Sequence, residues 1–365
     1  MKQKEFFGYG SINKIAGIAS ELDTKRIFLV TGRDSYEHSG VKNCLDMLLH
    51  HYEINRFNQF SSNPRLVDIM RGFELFKKED YELIIAVGGG SVIDVAKAIK
   101  LFNFNKCSSK TPLVAVPTTS GTGSEATYYI VYYIGKEKQS EGLPEITLPD
   151  YSICDPTFTM NIPKKIAAAT GMDALGQAIE SYWNINSTKE SKEFAKQSIS
   201  LLIDNLEKSV GNPDPELKEK VMRAANLSGK AINITKTTAC HSISYPITSY
   251  FHIHHGHAVG LTLGEMLVYN YYSKQECVDQ RGEDYLKSAL EEITALIGGK
   301  DVIEARDILY DLMKNIGLET KLIDLGINKE GIEVIIKRGF NPERVKNNPR
   351  HLDEDNLREI LESIY

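Results

Sequence analysis

The chain has little of what would tie it to a membrane, a nucleic acid or an oxidising compartment. Across its 365 residues no apolar run reaches the ~18–20 residues needed to span a bilayer. Basic residues are not in excess: 43 Lys and Arg stand against 49 Asp and Glu, a net charge of -6. Neutralising the phosphates of a nucleic acid is therefore disfavoured as the chain's main task. The five cysteines, Cys44, Cys107, Cys154, Cys240 and Cys277, lie far apart and form no Cys-x-x-Cys pair. That argues against a disulfide framework or a thiolate zinc site. The start, Met1-Lys2-Gln3-Lys4-Glu5, has no apolar signal-peptide stretch, so the cytoplasm is the expected location. Internal repeats and low-complexity tracts are missing too.

What is present reads as a globular chain with room for two domains, each with its own core. In the first half, strand-like and helix-like segments alternate. Arg26–Gly32, Tyr52–Phe57, Leu83–Val87 and Leu113–Val116 read as strands, Leu66–Lys78 and Ile93–Leu101 as helices. This order implies a mostly parallel sheet covered on both faces. Past about residue 160 the strand signals fade. Helical patterns follow over 166–183, 192–206, 216–234 and 285–297, and Pro149, Pro156 and Pro163 mark the crossing. The expected fold is an α/β domain with a parallel nucleotide-binding sheet over 1–160, followed by an all-helical domain over 161–365.

Two loops at strand ends suit a dinucleotide. Gly88-Gly89-Gly90-Ser91 sits between a strand and a helix, where missing Cβ atoms and a helix N-terminus let backbone N–H groups approach a pyrophosphate. Asp94 follows within the same segment. The second loop, Pro117 to Glu125, offers Thr118, Thr119 and Thr122 among its hydroxyls. The spacing is not the ordinary G-x-G-x-x-G, so a variant nucleotide fold is implied. At the end of the first strand stand Thr31, Gly32 and Arg33, where an acid would bond a ribose 2′-OH. Its absence tilts the expectation to NADP(H), with NAD(H) as the alternative.

The second half holds a metal-ligating vocabulary. Asp173 and Gln177 are four apart on one helix face, and five of the nine histidines fall between 241 and 257. One carboxylate, one amide oxygen and two imidazoles would suit Fe²⁺ or Zn²⁺. Spacing alone leaves open which histidines coordinate.

Several motifs in order resemble the iron-containing (group III) alcohol dehydrogenases: Phe7-Gly8-Tyr9-Gly10, Asn63-Pro64, Gly88 to Lys97, Pro117 to Glu125, Asp155-Pro156, Gly171-Met172-Asp173-Ala174, His241 to His255 with Asn270, and Asn348-Pro349-Arg350. The resemblance implies metal ligands at Asp173, His241 and His255. It also implies cofactor contacts at Gly88 to Ser91, Thr118, Thr119, Thr122 and, on a looser match, Lys138. Gln177 and Tyr245 stand where that family usually has histidine, and an amide oxygen is the weaker donor. Strings such as Gln177 to Trp183, Lys236-Thr237-Thr238-Ala239 and Ser244-Tyr245-Pro246 are similar to the phosphonoacetaldehyde reductases within it. The implied reaction is hydride transfer between a nicotinamide and a small aldehyde or alcohol, with the cation as Lewis acid. In this reading Lys236 meets a phosphonate headgroup, His257 is a candidate proton donor, and the chain is a homodimer. A dehydroquinate synthase-like lyase or a glycerol dehydrogenase on the same scaffold is the first alternative. A nucleotide-binding protein with a non-catalytic metal site is the second.

Overall fold

A computed structural model describes residues 3–365; Met1 and Lys2, part of the polar start read above, lie outside the described residues. The chain divides into two compact units, the first ending at Ile162 and the second running Pro163–Tyr365.

The first unit is built from β1 (Lys4–Phe7), α1 (Lys14–Glu21), β2 (Arg26–Thr31), α2 (Asp34–His38), α3 (Val41–Leu48), β3 (Glu53–Phe57), α4 (Leu66–Phe76), β4 (Leu83–Gly88), α5 (Gly90–Cys107), β5 (Leu113–Pro117), β6 (Ile130–Ile134), β7 (Glu137–Glu141), α6 (Pro144–Thr147) and β8 (Tyr151–Cys154). Six strands form one sheet in the order β1-β8-β5-β4-β2-β3, with every pairing parallel. Strand alternation explains why the sheet is covered on both faces. Phe28, Val30, Ile84, Ala86, Leu113 and Ala115 enter one core, with α4 and α5 residues such as Ile69 and Ile99. Ile27, Leu29, Leu83, Ile85, Val87, Val114 and Val116 enter the other, with α1 and α3 residues such as Ile15 and Leu45. The central strands therefore read as unbroken apolar runs.

Sequence reading missed β1 and β8, which pair with each other at one edge of the sheet, and the β6–β7 hairpin. β1 and β8 are four residues each, and β7 is polar throughout (Glu-Lys-Gln-Ser-Glu), so none shows a core-facing period.

The second unit is helical: α7 (Lys164–Trp183), α8 (Lys189–Gly211), α9 (Pro215–Thr235), α10 (Ala239–Phe251), α11 (His255–Tyr272), α12 (Glu283–Ile297), α13 (Val302–Asn315), α14 (Lys329–Arg338), α15 (Pro342–Val345) and α16 (Glu354–Ser363). α7 is the axis of this unit: it packs against α8, α9 and α11 and is buried on nearly every side from Ala168 onward. Polar groups on such a helix must find partners inside the protein, as Gln177 does on Ser228, Ser181 on Thr235 and Glu180 on Thr238. α10 and α11, which the periodic reading passed over, are also buried all round, so no polar stripe marks them. No helix among the described residues is long and apolar enough to cross a membrane.

Candidate metal centre and dinucleotide cradle

In the second unit three helices converge. α7 carries Asp173, the first turn of α10 carries His241, and α11 opens with His255. One ligand atom from each lies within 4.8 Å of the others. His241 Nε2 is 3.4 Å and His255 Nε2 3.9 Å from Asp173 Oδ1.

The opposite edge of each imidazole fixes its tautomer. His241 Nδ1 donates to Glu180 Oε2, which leaves the Nε2 lone pair facing Asp173. That Nε2 is buried and has no hydrogen-bond partner. Ser244 Oγ gives its one proton to the His241 carbonyl (2.7 Å), so His255 Nδ1–H donates to Ser244 Oγ (3.1 Å) and Nε2 again keeps the lone pair. A buried carboxylate oxygen facing two imidazole lone pairs is a donor set that fits a divalent cation. Without one, burial pulls His241 down, but Glu180 and Asp173 outweigh it and raise the imidazole to about 9. A cation at Nε2 takes the place of that proton.

Glu180 went unassigned in the sequence. It lies seven residues after Asp173 on the same helix face and is fully buried. Its carboxylate accepts from Thr238 Oγ1 (2.8 Å), Thr238 N (3.2 Å), Cys240 N (2.7 Å) and His241 N (3.3 Å) as well as from the His241 ring. One side chain thus caps α10 and aims His241. Burial would push this carboxyl up, but His241 and Thr238 hold it below its ordinary value. The legible signal was a charge inside a helix with no polar face.

The remaining expected site residues fall elsewhere in this unit. Gln177 is buried, and its Oε1 accepts from Ser228 Oγ of α9 (3.0 Å). His257 is two residues past His255, roughly 200° around α11. Its Nε2 donates to the Glu319 carbonyl (2.7 Å), so it is spent on holding the fold and does not join the Asp173 group. Tyr245 tilts over His255 at 6.1 Å between ring centres, and its hydroxyl accepts from Arg344 Nε (3.2 Å). Lys236, half-buried between α9 and α10, holds φ 64° and ψ -175°.

In the first unit, Gly88–Ser91 closes β4 and opens α5. A Cβ on Gly90 would stand 2.7 Å from Thr122 Oγ1, and one on Gly89 3.3 Å from Thr119 Oγ1. The glycines therefore let the hydroxyl loop after β5 seat directly against the turn. Thr118 Oγ1 and Ser120 Oγ are buried there with no hydrogen-bond partner among the described residues. Spare buried hydroxyls beside a helix N-terminus fit a diphosphate. Asp94 does not face this turn as a cofactor contact. Its oxygens accept from Ser124 Oγ (2.6 Å) and Val131 N (3.1 Å), pinning α5 to the segment after β5. Buried Lys97 adds bonds to Ser124 Oγ (2.9 Å) and the Tyr129 carbonyl (3.0 Å). Burial raises Asp94 and lowers Lys97 to about 8. Lys138, on β7, is near enough for its charge to act on Asp94.

A doubly covered parallel sheet with such a turn, and an Asp–His–His group with two of its three members buried in the same chain, are the marks of a metal-assisted, nicotinamide-linked oxidoreductase. Residues 3–156 match the family model of iron-containing alcohol dehydrogenases, and residues 167–365 match that of the family's C-terminal part. The chain belongs to the iron-containing alcohol dehydrogenase family. It is 28% identical to the NADPH-dependent butanol dehydrogenase of Clostridium saccharobutylicum over 99% of this chain and 96% of that one. It is 30% identical to the phosphonoacetaldehyde reductase of Streptomyces viridochromogenes over 77% of this chain and 75% of that one. The sulfoacetaldehyde reductase of Bifidobacterium kashiwanohense, solved with NAD⁺, superposes with a TM-score of 0.86 at 29% identity, covering 99% of this chain and 96% of that one. The protein is accordingly an NAD(P)-dependent oxidoreductase acting on CH–OH groups and aldehydes. The lyase, glycerol dehydrogenase and non-catalytic readings are not favoured by these matches.

Proposed function

We propose that this reductase acts on a small aldehyde bearing an acidic headgroup, with a divalent cation held by Asp173, His241 and His255. The observation that carries the reading is the buried, unpartnered Nε2 of His241, 3.4 Å from Asp173 Oδ1. Fe²⁺ and Zn²⁺ both suit one carboxylate and two imidazoles, and three protein ligands leave coordination room. Gln177, whose amide oxygen is bonded to Ser228, is left outside the set. When bound, the cation supplies Lewis acidity to the substrate oxygen and the nicotinamide supplies the hydride.

The chain's own residues do the rest. Glu180 and Ser244 hold the two imidazoles in the ligating tautomer. Gly88, Gly89, Gly90 and Ser91 bind pyrophosphate through backbone N–H groups and the α5 N-terminus. Thr118, Thr119 and Thr122 bond the phosphates and the nicotinamide half, while Gly32 and Lys138 complete the contacts; Asp94 acts only by holding α5 in place. The acidic headgroup is supported by two relatives named for phosphonoacetaldehyde and sulfoacetaldehyde. Lys236, five residues before His241, is its assigned partner, as a phosphonate or sulfonate prefers a cation. A cytoplasmic homodimer is the setting we assign.

Purified protein should hold about one iron or zinc per chain by elemental analysis. It should oxidise nicotinamide cofactor faster with phosphonoacetaldehyde or sulfoacetaldehyde than with an uncharged aldehyde of similar size, by about tenfold or more in kcat/KM. Asp173→Ala and His241→Ala should lose cation and activity together. Protein that keeps the cation yet reduces no short aldehyde overturns the reading. Equal rates on charged and uncharged aldehydes overturn only the headgroup.

A further inference from the structure

In an open parallel sheet of this kind, cofactor choice is made beyond the strand that binds the adenosine ribose. A carboxylate there bonds the 2′-OH and repels a 2′-phosphate. Here β2 ends at Thr31 and continues into Gly32 and Arg33. Of the nearby acids, Asp34 opens α2 directly after Arg33, while Glu37 and Asp68 are matched. Glu37 pairs with Arg56 at 2.8 Å and Lys42 at 3.1 Å, which hold its carboxyl below the usual range. Asp68 pairs with Arg71 at 3.2 Å.

A cavity of about 440 Å³ opens beside the end of β2, and three of its lining side chains are Arg33, Arg65 and Arg71. Asp68 is the one acid on its wall, so the lining carries two net positive charges (three minus one). Arg33 Nε is anchored on the Asn58 carbonyl (3.2 Å) and Arg71 Nη1 on the Gln59 carbonyl (2.9 Å). The two guanidinium forks are thereby fixed at one corner, with further N–H groups available to a ligand. Arg65 precedes α4; its carbonyl accepts from Asp68 N and Ile69 N, and its guanidinium makes no hydrogen bond or ion pair among the described residues.

The cavity is tied to the pyrophosphate turn. Ser91 Oγ, at the head of α5, donates to the Ser62 carbonyl in the same β3–α4 loop that carries Gln59 and Arg65. In the sheet, β2 lies beside β4 (Thr31 opposite Val87), and β5 lies on the other side (Gly88 opposite Pro117). A dinucleotide centred on Gly88–Ser91, with its nicotinamide half toward the hydroxyl loop after β5, sends its adenosine half toward β2. That half arrives at the arginines.

We propose that Arg33, Arg65 and Arg71 clamp the ribose 2′-phosphate, making this enzyme selective for NADPH over NADH. A dianionic phosphate monoester suits planar guanidinium forks, which bind it through paired hydrogen bonds. The inference rests on the chain being a nicotinamide-linked reductase, and the test separates the two.

Calorimetric titration of the metal-loaded enzyme should give NADPH a Kd on the order of 100-fold below that of NADH. Adenosine 2′,5′-bisphosphate should bind more tightly than 5′-AMP. In the double variant Arg33→Gln/Arg65→Gln, both differences should shrink to a few-fold while NADH affinity stays where it was. Retained NADH binding also reports that the variant is folded. Wild-type protein that binds NADH as tightly as NADPH overturns the clamp and leaves the reductase intact. So does a double variant that loses NADPH and NADH in equal measure, or inorganic phosphate that matches the bisphosphate in affinity. Binding of neither dinucleotide overturns the reductase reading and the clamp with it.

Discussion

Lys236 sits in a backbone region, φ 64° and ψ -175°, that is essentially reserved for glycine and costs a side chain about 1–3 kcal/mol. The turn is held from several directions: its N–H donates to the Ile232 carbonyl, and its carbonyl accepts from Asn184 Nδ2 and Thr235 Oγ1. Under the proposed function this strain is the cost of placing a lysine side chain beside the headgroup. Lys236→Gly should therefore raise unfolding stability by roughly 1 kcal/mol, the relieved strain exceeding glycine's greater chain entropy. The same variant should raise KM for acidic aldehydes and leave KM for an uncharged one in place. A variant that is less stable, or equally active on acidic aldehydes, removes Lys236 from recognition. At this scale the sequence was informative where chemistry is scarce: an aspartate and a cluster of five of the nine histidines stood out. It was silent on what each side chain bonds in the folded chain. Asp94 and His257 have site-like neighbours in sequence, yet each spends its polar atoms on a backbone or side-chain bond that only the folded chain reveals.

Among elements, the α7–α11 contact decides whether the ligands meet. Gly256, beside His255, lies so close to α7 that a Cβ would stand 1.9 Å from the Ala169 carbonyl and 2.6 Å from Asp173 Cβ. Backbone cannot yield as a flexible side chain can. Gly256→Ala should push the start of α11 off α7, move His255 away from Asp173, and lower bound cation well below that of the wild type, though no ligand is changed. Full metal content in that variant, by elemental analysis, would contradict this geometry. Of the three helices that carry the site, α7 was read from the sequence, while α10 and α11 were not, for the same reason that they can carry it. Periodicity is a contrast between a wet face and a dry one, and α10 and α11 have little wet face. α8, α9 and α12, with exposed flanks, announced themselves. Strands β2, β4 and β5 were plain as apolar runs, whereas β1 and β8 gain their order only from partners far away in sequence.

For the whole molecule, the sheet unit owns two apolar cores, one on each face, and the helical unit owns one. Each can therefore answer to its own ligand. In calorimetry NADPH at about 100 times its Kd should stabilise the first unit by about 2.7 kcal/mol. A chelator should lower the transition of the second unit and leave the first unmoved. A single transition displaced as one by either treatment would show that the cores do not melt separately. The fold class, a parallel nucleotide-binding sheet followed by helices, was readable because alternation of elements survives even when their boundaries blur. The Glu180 carboxylate has a consequence beyond its own helix. Five donors hold it, so the imidazole it directs is aimed before any ion arrives, and the chain leaves the ribosome's care with a socket already cut. Oxygen and nitrogen donors of this kind accept more than one first-row ion, so occupancy depends on supply as well as on affinity. The same polypeptide grown in iron-rich and in zinc-rich media would thus yield two catalysts of one shape.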